Sequence, residues 1–208
     1  QGEGGIIMPA NDYLYNLREI CNQNDWLLML DEVQTGNART GKYFCYQHAK
    51  ILPDVVTTSK GLGNGIPIGA CLAGQHAAEI LQPGKHGSTF GGNPLCCAGA
   101  LAVLKVIREE DLMFRAGRVG KLIKQKLKHE LSGVEHVLDI RGLGCMVGIQ
   151  LDRPCKSLFS QALESGLIIN ITADCVVRLL PPLIMTDEQT DILISILSPL
   201  IKKFNRDY

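Results

Sequence analysis

The chain has 208 residues with 21 Lys+Arg and 21 Asp+Glu, so no basic surplus exists to neutralise a phosphate backbone and no nucleic-acid partner is expected. Hydrophobic residues at 46% and charged residues at 20% are the balance of a soluble globular protein with a sizeable core, in one large or two modest domains. No apolar run approaches the roughly eighteen residues that span a bilayer and no cationic, apolar leader precedes the first helix, which predicts a cytoplasmic protein without a membrane partner.

The chain opens on Gln1-Gly2-Glu3-Gly4-Gly5, with no initiator Met and no element leading in, and reads as the later part of a longer protein. Asn11 is placed to cap a helix carrying Tyr13, Leu14, Leu17, Ile20 and Cys21 on one face, ended by the turn Asn24-Asp25. Residues 27–33 lack polar alternation, which predicts a strand buried on both faces. Helix, turn and buried strand in that order predict α/β architecture with a largely parallel sheet.

A polar loop with Gly36 and Gly41 leads through Tyr43–Tyr46 to Pro53 and a β-branched strand over 54–59. The next apolar run, Ile68–Ala73, starts only about eight residues after Lys60, too soon for a helical crossover, so it should run antiparallel to its predecessor. After the glycine-rich loop 86–92, Asn93 caps and Pro94 starts a helix with Leu101, Leu104 and Ile107. Asp111 starts another, with Val119, Ile123, Leu127 and Leu131 as its apolar stripe and Lys121, Lys124 and Lys128 on a solvated face.

From about residue 134, shorter strands (137–140, 145–151, 167–171, 176–180) alternate with helices over 156–165 and 187–205. Thr186 and Gln189 form a capping box for the last helix, and Pro199 should kink or restart it. This is a smaller α+β domain after an α/β one, with the seam near Glu110 and domains at 1–110 and 111–208. The eight cysteines show no C-x-x-C pair and no regular spacing; reduced core thiols are expected, with no disulfide framework and no metal site.

Lys60 ends the 54–59 run and is followed by Gly61, Gly63 and Gly65; Asp31 ends the earlier run Leu27–Leu30. The two ends should lie side by side in one sheet. A lysine amine attacks a carbonyl only when unprotonated, which burial in apolar surroundings favours; alternatively Lys60 simply reaches solvent from a strand end. A carboxylate ending a buried strand needs a cation or donors, and a protonated pyridine nitrogen is such a cation. Pyridoxal phosphate (PLP) requires this pair, a lysine for its aldehyde and an acid for its ring nitrogen. Leu27–Glu32 also has the form of a Walker B strand, but no G-x-x-x-x-G-K-[ST] loop accompanies it, so a P-loop ATPase is the weaker alternative. A folded interaction module without chemistry is another.

Several motifs stand in order: Gln1-Gly-Glu3-Gly-Gly, Leu30-Asp31-Glu-Val-Gln34, Arg39-Thr-Gly41, Ser59-Lys60-Gly-Leu-Gly, His86-Gly-Ser88-Thr89-Phe-Gly-Gly-Asn-Pro94, Arg141-Gly-Leu-Gly144 and Arg178-Leu-Leu-Pro-Pro182. Together they closely resemble the class III (ornithine-type) aminotransferases of PLP fold type I, nearly end to end. The resemblance implies the C-terminal part of a PLP-binding large domain over 1–110 and a small α+β domain over 111–208, amounting to roughly the C-terminal half of such an enzyme.

It also implies roles. Lys60 would bind the cofactor's aldehyde and shuttle a proton, Asp31 pair with the pyridine nitrogen, Val33 pack on the ring and Gln34 bond its 3-hydroxyl oxygen. Thr89, beside Ser88, would reach the cofactor phosphate of the neighbouring subunit in a homodimer with shared active sites. Arg178 would grip the α-carboxylate of 2-oxoglutarate or the amino donor, and Glu3 would shield that arginine. N-acetylornithine is the donor the resemblance favours, with ornithine, succinylornithine, succinyl-diaminopimelate and 4-aminobutyrate chemistry as alternatives. Ala38 departs from the family's usual glycine. The upstream phosphate loop and the ring-stacking aromatic have no counterpart in these residues, and the 208 residues alone are expected to turn over little or nothing.

Overall fold

A computed structural model describes residues 1–204. They fall into two compact units, one of Pro9–Met113 and the other of Gln1–Met8 together with the chain from Phe114 onward. The boundary falls within the first turn of helix α4 (Leu112–Glu130). The opening residues differ from expectation: they group with the second unit, not the first. The reason is long-range. Arg141 donates to the carbonyls of Gly5 and Ile6, and Ile6, only 2% exposed, packs against Gly148.

The first unit begins with α1 (Tyr13–Gln23), which ends as expected: the Asn24 side chain donates to Ile20 O at 2.8 Å and Asp25 turns left-handed at φ 54°. Its N-cap is Asp12, not Asn11, and makes no side-chain capping bond. Strands β1 (Met29–Asp31) and β2 (Val55–Thr58) are parallel, and β3 (Ala70–Ala73) is antiparallel to β2, with Thr57 opposite Cys71. The sheet is thus mixed over these three strands. The expected two-sided burial of the first strand is not observed among the described residues: Met29 is 62% exposed and Asp31 is exposed. Strand β3, with Cys71, is exposed throughout, so that thiol is not a core residue.

The short helix α2 (Gln75–Ala78) precedes the glycine-rich loop. Helix α3 (Pro94–Glu109) is capped as its sequence dictates, with Asn93 Oδ1 accepting from Cys96 N at 2.9 Å and Pro94 at the first position, where no N–H is needed. An ion pair fastens α1 to the sheet: Asp54 Oδ2 accepts from Arg18 Nη1 at 2.5 Å and from Leu28 N at 2.7 Å.

In the second unit, β4 (Val137–Leu143), β5 (Met146–Leu151), β7 (Val176–Leu179) and β6 (Asn170–Thr172) form an antiparallel sheet in that order. Its side chains share one core with α4, α5 (Ser157–Glu164) and α6 (Asp187–Phe204). The predicted stripe Val119, Ile123, Leu127 and Leu131 is buried to 4% exposure or less. Lys124 leaves the solvated face: its Nζ donates to Gly142 O at 2.6 Å, and burial, then Lys128, lowers its pKa. The Thr186–Gln189 capping box forms in both directions, at 3.0 and 3.2 Å. Helix α6 continues through Pro199 and does not restart there. Among the described residues no helix is long and apolar enough to cross a membrane.

Candidate active site

In the ladder of β1 and β2, Met29 faces Val55 and Asp31 faces Thr57. The two strand ends therefore lie side by side, and the carboxylate at one is level with the run that delivers Lys60 at the other. The backbone after β2 turns sharply: Ser59 Oγ donates to Ile68 O at 2.7 Å, and Lys60 opens a 3-10 helix (Lys60–Leu62) at φ 44°. A left-handed conformation is uncommon for a non-glycine residue and persists only where the surroundings impose it. Gly63 completes the turn, since a Cβ there would collide with the carbonyl of Ile66.

Asn37 supplies part of that imposition. It is 4% exposed, left-handed at φ 55°, and its Nδ2 donates to Thr58 Oγ1 at 2.9 Å and to Ser59 O at 3.1 Å. Tyr43 Oη donates to Asn37 Oδ1 at 3.2 Å, which fixes the amide's orientation. Sequence reasoning missed Asn37; a Gly-Asn pair signals a turn, but nothing local ties that turn to Lys60.

Glu32 was also missed. It is 3% exposed, its Oε1 accepts from Tyr46 N at 2.8 Å, and its Oε2 accepts from Thr35 Oγ1. Both oxygens are spent closing the loop from β1 to Tyr46. Burial, then the charge of Glu32, pushes the Cys45 thiol and the Tyr46 phenol up. Ala38 is fully buried at φ 69°, so the family's usual glycine and this alanine meet the same left-handed demand.

Asp31 is exposed, with Oδ1 accepting from Val33 N at 2.9 Å. Lys60 is exposed as well among the described residues. The apolar burial expected around these two groups is therefore not supplied by the described residues. Val33 and Gln34 are half-buried, while Ser88 and Thr89 lie in the exposed loop before α3.

In the second unit Arg178 is 9% exposed and occupies β7, an interior strand, between Gly148 of β5 and Asn170 of β6. Its Nη1 donates to Glu3 Oε1 at 2.6 Å, while its buried Nε has no hydrogen-bond partner among the described residues. A fork with a donor to spare can receive a carboxylate.

A model of the family Aminotransferase class-III matches residues 1–201. The chain belongs to the class-III aminotransferases. It is 52% identical over 204 residues to acetylornithine aminotransferase 1 of Bordetella bronchiseptica, covering 98% of this chain and 52% of that protein. It is 50% identical to acetylornithine aminotransferase of Nitrosomonas europaea, at the same coverage. Among solved structures it superposes on ornithine aminotransferase from Toxoplasma gondii with TM-score 0.95 at 35% identity, over 100% of this chain and 51% of that one. Acetylornithine aminotransferase from Elizabethkingia anophelis gives TM-score 0.92 at 35% identity, over 98% and 55%.

This class-III chain spans about half the length of the curated relatives it matches. Its fold is that of the PLP-dependent aminotransferases of fold type I, and the family's cofactor is PLP. The residues present fit that cofactor: a lysine at a strained turn and an acid on the neighbouring strand end are the two groups its aldehyde and ring nitrogen require. The Walker B alternative falls with the class-III match over residues 1–201, and Glu32 is buried with both carboxylate oxygens engaged in loop hydrogen bonds.

Proposed function

We propose that the protein to which this chain belongs transfers the amino group of N-acetylornithine to 2-oxoglutarate, using PLP, as a step in arginine biosynthesis. The observation that carries this reading is the placement of Asp31 and Lys60 at adjacent ends of the parallel β1–β2 pair. When bound, PLP supplies an electron sink that lets a proton leave the substrate's amine-bearing carbon.

The chain's own residues would do the rest. Lys60 Nζ would hold the cofactor through its aldehyde and would supply the base that moves a proton at the substrate's amine-bearing carbon. Asp31 holds a proton on the ring nitrogen through a charge-assisted bond of about 1.5–3 kcal/mol. Val33 packs on the ring and Gln34 bonds its 3-hydroxyl oxygen. Ser88 and Thr89, exposed in their loop, serve the cofactor phosphate of a second subunit, which makes the working form a homodimer. Arg178 receives a substrate carboxylate, and Glu3 covers that arginine when none is bound.

Ornithine is the second reading, favoured by the fit to the Toxoplasma gondii structure. N-acetylornithine is preferred because the curated relatives at 52% and 50% identity are named acetylornithine aminotransferases. The test has two parts. Lys60→Ala should abolish the visible absorption of lysine-bound cofactor, and a wild-type panel of ω-amino donors should give N-acetylornithine the highest kcat/KM. Retention of the absorption in Lys60→Ala would remove Lys60 from its role, and a higher kcat/KM for ornithine would reassign the donor.

A further inference from the structure

The turn that carries Glu3 is held from two strands of the second unit. Arg141 of β4 donates from Nε to Ile6 O at 2.9 Å and from Nη2 to Gly5 O at 2.6 Å. The guanidinium is itself aimed by Gln150 Oε1 at 2.6 Å and Asp139 Oδ2 at 3.1 Å, both accepting from Nη1. Thr172 of β6 donates its hydroxyl to the carbonyl of Glu3. Within the turn, the amides of Gly5 and Ile6 both reach Gly2 O at 3.2 Å.

Ile6 sits at φ 54° while 2% exposed. A β-branched residue in the left-handed region is strained, and such strain marks places where the surroundings over-determine the backbone. Here the determinants are the Arg141 fork and the notch at Gly148, where a Cβ would lie 3.0 Å from that of Ile6. The backbone of Glu3 is thus fixed while its side chain remains 74% exposed. The carboxylate can leave Arg178 by rotating about its own bonds with no movement of the turn.

We propose that Arg141 and Thr172 are positioning residues for the Glu3–Arg178 pair: they hold the turn so that Glu3 competes with an incoming substrate carboxylate for the Arg178 fork. This rests on the reading of Arg178 as a carboxylate receptor. It predicts a sign that a purely structural role would not give. Loosening the turn lowers the local concentration of the competing carboxylate, so a ligand carboxylate binds more tightly, whereas general damage to the unit would weaken it.

Calorimetric titration of glutarate, a dicarboxylate without an amine, into the cofactor-loaded protein tests this. Glu3→Ala, Arg141→Met and Thr172→Val should each lower the Kd by about two- to fivefold, the scale of one exposed ion pair, and Glu3→Ala combined with Arg141→Met should add little more. Thermal unfolding of each variant accompanies the titration; should Arg141→Met fail to fold, the near-isosteric Thr172→Val decides. If Glu3→Ala tightens binding while Thr172→Val and a folded Arg141→Met leave it unchanged or weaker, the positioning role is overturned and the reading of Arg178 stands. If Glu3→Ala itself does not tighten binding, the competition is absent and both fall.

Discussion

Asp31 and Thr57 are register partners across the parallel β1–β2 pair, and Lys60 follows Thr57 by three residues on the same side of the ladder's end. The acid and the amine are therefore coupled through backbone hydrogen bonds, including Glu32 N to Thr57 O at 2.8 Å. Their spacing does not depend on the long loop that separates them in sequence.

For Asp31→Asn, an amide cannot hold the ring nitrogen protonated. Transamination should fall by about 10- to 100-fold, the rate equivalent of a charge-assisted bond of about 1.5–3 kcal/mol. The absorption of lysine-bound cofactor should remain, since Lys60 is untouched. Steady-state kinetics beside a visible spectrum reads both.

Glu32→Ala should destabilise the first unit by about 2–4 kcal/mol, because it removes two buried hydrogen bonds and strands the Tyr46 N–H. Glu32→Gln keeps an acceptor for that N–H and should lose about half as much. Urea midpoints of the two variants, compared at constant slope, measure the difference. Equal midpoints for wild type and Glu32→Ala would show that the carboxylate does not close the loop.

At Gly120, mid-helix in α4, alanine would ordinarily add about 1 kcal/mol through helix propensity. Here a Cβ would run into the Gly144 carbonyl of the β4–β5 turn, which is backbone and cannot swing aside. The clash outweighs the propensity gain, and Gly120→Ala should cost about 3 kcal/mol. Denaturant unfolding gives the sign directly; a more stable variant would mean that the helix and hairpin separate freely.

The Arg18–Asp54 staple sets an acid limit. Burial raises the Asp54 carboxyl, but the hydrogen bond from Arg18, that from Leu28 N and the charges of Arg18 and His76 together bring it below its ordinary value. A folded-state pKa below the unfolded one adds stability that is complete above the ordinary carboxylate pKa of about 4 and is lost as pH falls through the lower folded value. Wild type should exceed Asp54→Asn by about 1.5–3 kcal/mol from pH 8 to 5, with the gap closing below about pH 4. A gap that persists unchanged at pH 2 would show that the charge is not what stabilises.

Local chemistry made much of this readable. Asn93-Pro94 and Thr186-x-x-Gln189 announce helix starts because their side chains and missing N–H act within one turn, and both form as their sequences require. The heptad-like run Val119 to Leu131 is buried because a helix puts those positions on one face. The short gap after Lys60 left β3 no route but an antiparallel one.

What escaped was non-local. Leu27–Leu30 reads the same whether neighbours cover one face or two, and here Met29 is left open. Lys124 fits a solvated stripe until the Gly142 carbonyl, eighteen residues on, comes within reach. Asn37 and Glu32 carry no local mark that separates an ordinary loop residue from one that holds the turn before Lys60 or closes the loop to Tyr46. The Glu3–Arg178 pair became legible only through family resemblance, since 175 positions separate its members.

The clamp on the opening turn also dictates an order of events at the ribosome. Glu3 is 169 residues ahead of Thr172, and the Gly5 carbonyl 136 ahead of Arg141. At about 5–20 residues per second, the first residues of this stretch wait roughly 10–30 s for the strands that receive them. In that interval Pro9–Met113 has emerged, while the strands that hold Gly5, Ile6 and Glu3 have not. The unit that closes last is the one whose first strap was made first, so truncation anywhere before Thr172 leaves Glu3 without a seat.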